Sequence, residues 1–130
     1  MGDKFDEIKG MKYLKVGDKT YEALFSANQL AYLYSICAKN DYLKLVPFVY
    51  ERLLAGFKEA NKESPQLTEE VKAFEVELTD LVMSHFDELY MELMVAIGRI
   101  KREVADKYKN QEQLLENPNF LSQITQQGGN

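Results

Sequence analysis

Few side chains in this sequence of 130 residues have the type and spacing that chemistry needs. The single histidine, His85, precedes Asp87 and Glu88. His85 and Glu88 lie three apart, so on a helix they share a face and offer two metal ligands. Two are too few, because structural zinc takes four protein ligands and catalytic zinc three. A di-iron bundle needs two Glu-x-x-His pairs, which one histidine does not supply. Cys37 is the only cysteine, so no internal disulfide forms and a reducing compartment is expected. It falls on one helical face with Leu30, Leu33 and Tyr34, where a small core residue is expected rather than a nucleophile. The glycines form neither GxGxxG nor GxxxxGK, so no phosphate loop is present.

Glu77 and Asp80 repeat the three-residue spacing. Paired carboxylates on two helices bind magnesium in the acidic helical pyrophosphatases that cleave nucleotides. Here the upstream carboxylates, Glu59 and Glu63, are four apart, and no basic site accompanies them. Glu77 and Asp80 are therefore read as capping or solvated groups. The expectation is a protein that is not an enzyme and carries neither cofactor nor metal.

Charge narrows the partners. The chain has 16 basic and 21 acidic residues, a net charge of −5. From Glu69 to Glu92 eight carboxylates stand against Lys72 alone, a surface that would repel a polyanion. The basic cluster Arg99, Lys101, Arg102, Lys107 and Lys109 reads as a solvated helix end, so no nucleic-acid partner is expected. The first ten residues are charged where a signal peptide is apolar. Asp6 breaks the myristoylation pattern after Gly2. No apolar run approaches the ~20 residues of a membrane span. These features suggest a soluble, intracellular protein with no membrane partner.

The elements that must position these residues follow from pattern and punctuation. Met11 to Leu24 reads as a hairpin about Gly17-Asp18-Lys19. A lone hairpin is marginal in water, so it must lie on something apolar. Ser26 caps a helix to about Lys39, and Asn40-Asp41 breaks it. Pro47 favours a helix start near Val46, with Tyr50, Leu53, Leu54 and Phe57 on one face to about Lys62. Gly56 in that helix permits close approach of a neighbour. Thr68 then caps a further helix with Glu69 and Glu70 in its first turn.

From Glu69 to about Lys109 the helical pattern scarcely stops, with Thr79-Asp80 a possible break. Leu81 to Lys109 alone would be ~43 Å long, while a chain of this size has a radius of gyration of ~14 Å. The helix must overhang, kink near Gly98, or pack on another chain. Leu78, Val82, Leu89, Leu93, Ala96, Ile97, Ile100 and Val104 form its core stripe, with Met83, Tyr90 and Met94 beside it. Met91 and Val95 lie opposite, and Glu92 is the only charged side chain from Leu89 to Ile97. A helix apolar all round is buried all round. Either it is the centre of a bundle, or its second face meets other proteins.

The order of features resembles the small tail assembly chaperones of long-tailed bacteriophages and prophages. The resemblance covers roughly residues 11–75. It rests on the hairpin from Met11 to Phe25, on Leu53-Leu54-Ala55-Gly56-Phe57 before a polar spacer, and on Pro65-Gln66-Leu67-Thr68-Glu69-Glu70-Val71. It implies a mostly helical protein that coats the extended tape measure protein and recruits tail tube subunits until tube growth displaces it. It further implies residence in the bacterial cytoplasm, outside the mature virion. Many members also have a frameshifted longer form, and Gly128-Gly129-Asn130 is compatible with a slippery run. The ten residues before Met11 and the helix from Asp80 lie outside the resemblance.

The expected fold is therefore α+β and mostly helical: a short N-terminal hairpin packed on a bundle, with one long C-terminal helix. Residues 1–10 form a flexible segment, 11–109 one domain, and 110–130 a polar tail. In that tail Phe120, Leu121 and Ile124 make one amphipathic turn. Protein binding is assigned to Tyr90, Met91, Met94 and Val95, then to Leu53 and Phe57, in a chain expected to be homo-oligomeric. The alternative is a small acidic phage inhibitor or adaptor that occupies a basic site on a host protein through the Glu69–Glu92 face.

Overall fold

The computed structural model describes residues 9–116, with side chains for residues 10–110. The expectations for residues 1–8, for Phe120, Leu121 and Ile124, and for the C-terminal Gly128-Gly129-Asn130 lie outside them. Strands β1 (Lys9–Val16) and β2 (Lys19–Ser26) form an antiparallel hairpin. Five helices follow: α1 (Ala27–Ala38), α2 (Tyr42–Ala60), α3 (Leu67–Ser84), α4 (Phe86–Ala96) and α5 (Arg102–Glu116). This is the α+β, mostly helical fold expected, with a hairpin laid on helices.

The hairpin closes through two residues, Val16 pairing with Lys19. Gly17 has φ 63, whereas Asp18 has no positive φ. A positive angle at the first central position alone matches a type II′ turn, which suits the strand twist. Leu14 pairs with Tyr21, and both turn inward with Val16, Ala23 and Phe25. Tyr13 and Lys15 face solvent, as period-two alternation requires. The apolar face meets α2 along β2 and α4 along β1. β1 starts at Lys9, so residues 9 and 10 belong to the sheet rather than to a flexible leader.

Helix α2 approaches β2 closely because residue 56 has no side chain. A Cβ there would lie 2.1 Å from the Glu22 carbonyl oxygen and 2.5 Å from its carbon. Arg52, one turn earlier, donates through Nη1 to the Leu24 carbonyl oxygen at 3.1 Å and to Gln29 Oε1 at 2.8 Å. It ties α2 to the end of β2 and to the first turn of α1. There Ser26 and Gln29 make a reciprocal capping box.

Several boundaries differ from expectation. Thr68, expected to cap α3, lies inside it, one residue after its start at Leu67. Asp41 caps α2, its side chain accepting from the Lys44 N–H, so the helix starts four residues before Val46. Pro47 sits inside it, exposed, where its missing N–H leaves the Leu43 carbonyl without the usual i−4 donor. The long C-terminal helix is in fact three. His85, at φ −133, separates α3 from α4. Beyond Ala96, Gly98 at φ 79 closes α4: its N–H donates to the Val95 carbonyl and that of Arg99 to the Met94 carbonyl. That double closure is a Schellman motif. Helix α5 runs on through Glu116, past the expected start of the tail at residue 110.

Breaking the helix lets each piece cover a different neighbour. α3 lies on α2, where Phe74 stacks on Phe57 at 4.1 Å with rings 10° from parallel. α4 turns onto β1. Of the expected core stripe, Leu78, Leu89, Leu93 and Ile97 are buried, while Val104 is half in solvent.

Gly56→Ala gains about 1 kcal/mol in helix propensity but must push a backbone carbonyl aside, and overpacking costs about 1–3 kcal/mol or more. The net expected result is a loss of about 1–2 kcal/mol, read as a lower denaturant midpoint at unchanged slope.

Candidate functional site

An aromatic surface forms where α1 ends, α2 begins and α4 crosses. Asn40, at φ 52, reverses the chain after α1; its N–H donates to the Cys37 carbonyl and that of Asp41 to the Ile36 carbonyl. This Schellman closure delivers Asp41 to cap α2 and leaves Tyr42 and Leu43 on its first turn. Tyr42 is 51% exposed and Leu43 91%. The Tyr42 ring lies 6.3 Å from Tyr90, which lies 6.3 Å from Phe86. Tyr34 donates its hydroxyl hydrogen to the Ile97 carbonyl, joining α1 to the end of α4. The Arg99 guanidinium sits 5.6 Å from the Tyr34 ring, within cation–π range. Helix α1 has no charged residue, yet Ala31, Tyr32, Tyr34 and Ser35 face solvent.

Cys37 is buried beside Tyr90. Burial raises the pKa of this thiol against the opposing pull of Arg99, so it stays protonated. Burial likewise raises that of the Tyr90 hydroxyl. A packed thiol fits the core role expected of Cys37.

The six expected binding residues divide. Tyr90 joins the aromatic surface, half-buried. Met91 and Val95 are half-buried on the same helix. Met94 and Leu53 are core residues, at 4% and 0% exposure, and their assignment to a partner surface is corrected: they hold the hairpin and helices together. Phe57 is half-buried in the stack on Phe74, beside a separate cleft lined by Lys19, Tyr21 and Asn61. Tyr34, Tyr42, Leu43 and Arg99 were missed. The Asn40-Asp41 break was the available signal, since a cap at Asp41 places Tyr42 and Leu43 on a helix.

The carboxylates considered for metal chemistry do converge. Glu77, Asp80, His85 and Glu88 line one cleft of about 300 Å³ with Val16, Gly17 and Tyr21. Among the described residues, however, no three His, Cys, Asp or Glu are placed to hold a metal ion. Glu77 pairs with Lys19 and accepts from the Tyr21 hydroxyl at 3.1 Å. Burial, with Glu77 and Asp80 adding to it, pushes the Tyr21 pKa up to about 12. His85 is exposed at the helix junction rather than flanking the core.

The acidic stretch is not one solvated face either. Glu92 is 2% exposed. Its Oε2 accepts from Arg102 Nη1 and Lys109 Nζ, each at 2.5 Å, and its Oε1 from Arg102 Nη2 at 3.2 Å and the Lys15 N–H at 3.4 Å. Glu88 accepts from the Gly17 N–H at 3.3 Å and lies 3.7 Å from Lys109. Two of the five residues in the basic cluster read as a solvated helix end, Arg102 and Lys109, thus close on a buried carboxylate. The sequence signal was Glu92 alone in an apolar run, facing Arg102 and Lys109 seven apart on one helix side. Exposed carboxylates in the stretch include Glu69, Glu75, Asp80 and Asp87.

No helix among the described residues is long and apolar enough to cross a membrane. Comparison of the chain with protein-family models, curated proteins and solved structures finds no match.

Burial alone would raise the Glu92 pKa, but hydrogen bonds and charge from Arg102 and Lys109 outweigh it and hold the carboxyl below its usual 4.5. A depressed folded pKa gives stability that is full above the unfolded value and lost as pH falls through the folded one. The expected result is that denaturant stability of the wild type falls more steeply below about pH 5 than that of Glu92→Gln.

Proposed function

We propose that this chain is a non-enzymatic protein-binding module, a tail assembly chaperone that transiently holds tape measure and tail tube polypeptides. The observation that carries the binding role is the exposure of Tyr34, Tyr42 and Leu43 on two helices, with Tyr42 6.3 Å from Tyr90 of a third and Arg99 over the Tyr34 ring. Scattered apolar side chains are ordinary on a surface. Several aromatic groups gathered beside an uncharged helix are the composition of a binding core, where tyrosine and arginine are enriched and carboxylates depleted. Tyrosine ring and hydroxyl suit a partner that must later be released, because each buries area without fixing a charged pair. The choice of partner rests on the resemblance of the hairpin and the two helix junctions to the chaperone family.

The test is affinity purification of the full chain co-expressed with the products of the genes flanking its own. A tape measure or tail tube polypeptide should copurify and persist at high salt, since apolar contact survives where exposed ion pairs are screened. Leu43→Glu and Tyr90→Glu should each weaken that capture at least about tenfold, the scale of an interface hot spot, with unchanged circular dichroism. Capture that disappears at high salt, and on neutralising Glu69, Glu75, Asp80 and Asp87, would support the acidic inhibitor or adaptor instead. Failure to capture either polypeptide would overturn the chaperone reading.

A further inference from the structure

Helix α5 is attached differently from the rest of the molecule. The other helices are held by fully buried Leu, Ile, Val or Phe side chains. Among its described side chains α5 buries only Ala105 completely. Arg102, Glu103, Val104, Asp106, Lys107 and Asn110 are exposed, and Tyr108 and Lys109 half-buried. Among its described side chains, Arg102 and Lys109 pair with Glu92 of α4, Lys109 lies beside Glu88, and Lys109 Nζ donates to the Lys15 carbonyl oxygen at 3.4 Å. The helix follows a segment that turns at Gly98, already outside α4 and at positive φ.

We infer that α5 is a releasable strap whose described side chains, residues 102–110, latch it across the hairpin turn and α4 chiefly by charge on the buried Glu92 carboxylate. The inference does not depend on the identity of any partner. A charge-assisted latch has a small contact area and a large penalty for a missing counter-charge, so loss of one group opens it while the core persists. Opening lets water reach Glu92 and bares the side of α4 that carries Glu88, together with the Lys15–Asp18 end of the hairpin. These groups line a shared cleft of about 400 Å³ with Arg102, Asp106 and Lys109. A partner would reach that surface only after the strap has left.

Amide hydrogen exchange of the full chain, read residue by residue, tests the latch. In Glu92→Gln, protection of the Val104–Lys109 amides should fall at least about tenfold below wild type. Protection in β1, β2 and α2 should change by less than about threefold. Lys109→Met keeps the aliphatic stem and leaves Glu92 paired with Arg102, so it should give a smaller selective loss and serves if Glu92→Gln does not fold. Unchanged α5 protection in every variant that folds would overturn the strap. So would a loss shared equally by α5 and the hairpin, since that would make α5 part of the cooperative core.

Discussion

A two-stranded hairpin does not stand alone in water, and the arrangement of this molecule follows from covering one. The face bearing Leu14, Val16, Tyr21, Ala23 and Phe25 needs apolar cover on both strands, and no single helix supplies it. α2 takes β2, brought close by the bare backbone at Gly56, and α4 takes β1. α3 joins those two helices and completes the core with Phe74, Leu78 and Leu81. The break at His85 separates the helix that lies on α2 from the one that lies on β1.

Much of this was legible where local chemistry decides. Gly17-Asp18 marked the turn, Ser26 the cap of α1 and Gly56 a close contact, while Gly98, read only as one place for a kink, ends α4 outright. Legibility failed where tertiary demands overrode local preference. Ser84-His85-Phe86 has neither Gly nor Pro, so nothing local announces the division of α3 from α4. Pro47 drew the expected start of α2 toward Val46, yet the helix absorbs it at an exposed position where the Leu43 carbonyl can face water. That error hid Tyr42 and Leu43, the most exposed part of the candidate surface. Periodicity nominated Tyr90, which is half-buried, together with Met94 and Leu53, which are core, because a helical stripe gives position around an axis and not which neighbour covers it.

Electrostatics was the least legible layer. A run of carboxylates suggested one acidic face, but the structure distributes it. Glu77 engages Lys19 and Tyr21, Glu70 accepts from the Ser64 hydroxyl, and Glu92 is buried under Arg102 and Lys109. The aromatic surface and the charge cluster consequently belong to different parts of α4. A partner on Tyr90 need not disturb Glu92, and events at the strap need not alter the tyrosines.

The contact between the Lys15 amide and Glu92 spans 77 positions of sequence. Chains grow from the ribosome at ~5–20 residues per second, so about 4–15 s separate synthesis of the strand from that of its lid. Throughout that interval the nascent hairpin lacks the helix that later shields Leu14 and Val16. Speed of translation across the middle of the message thus sets how long a sticky intermediate exists, and a pause between the codons for Ala60 and Phe86 would prolong its exposure to aggregation.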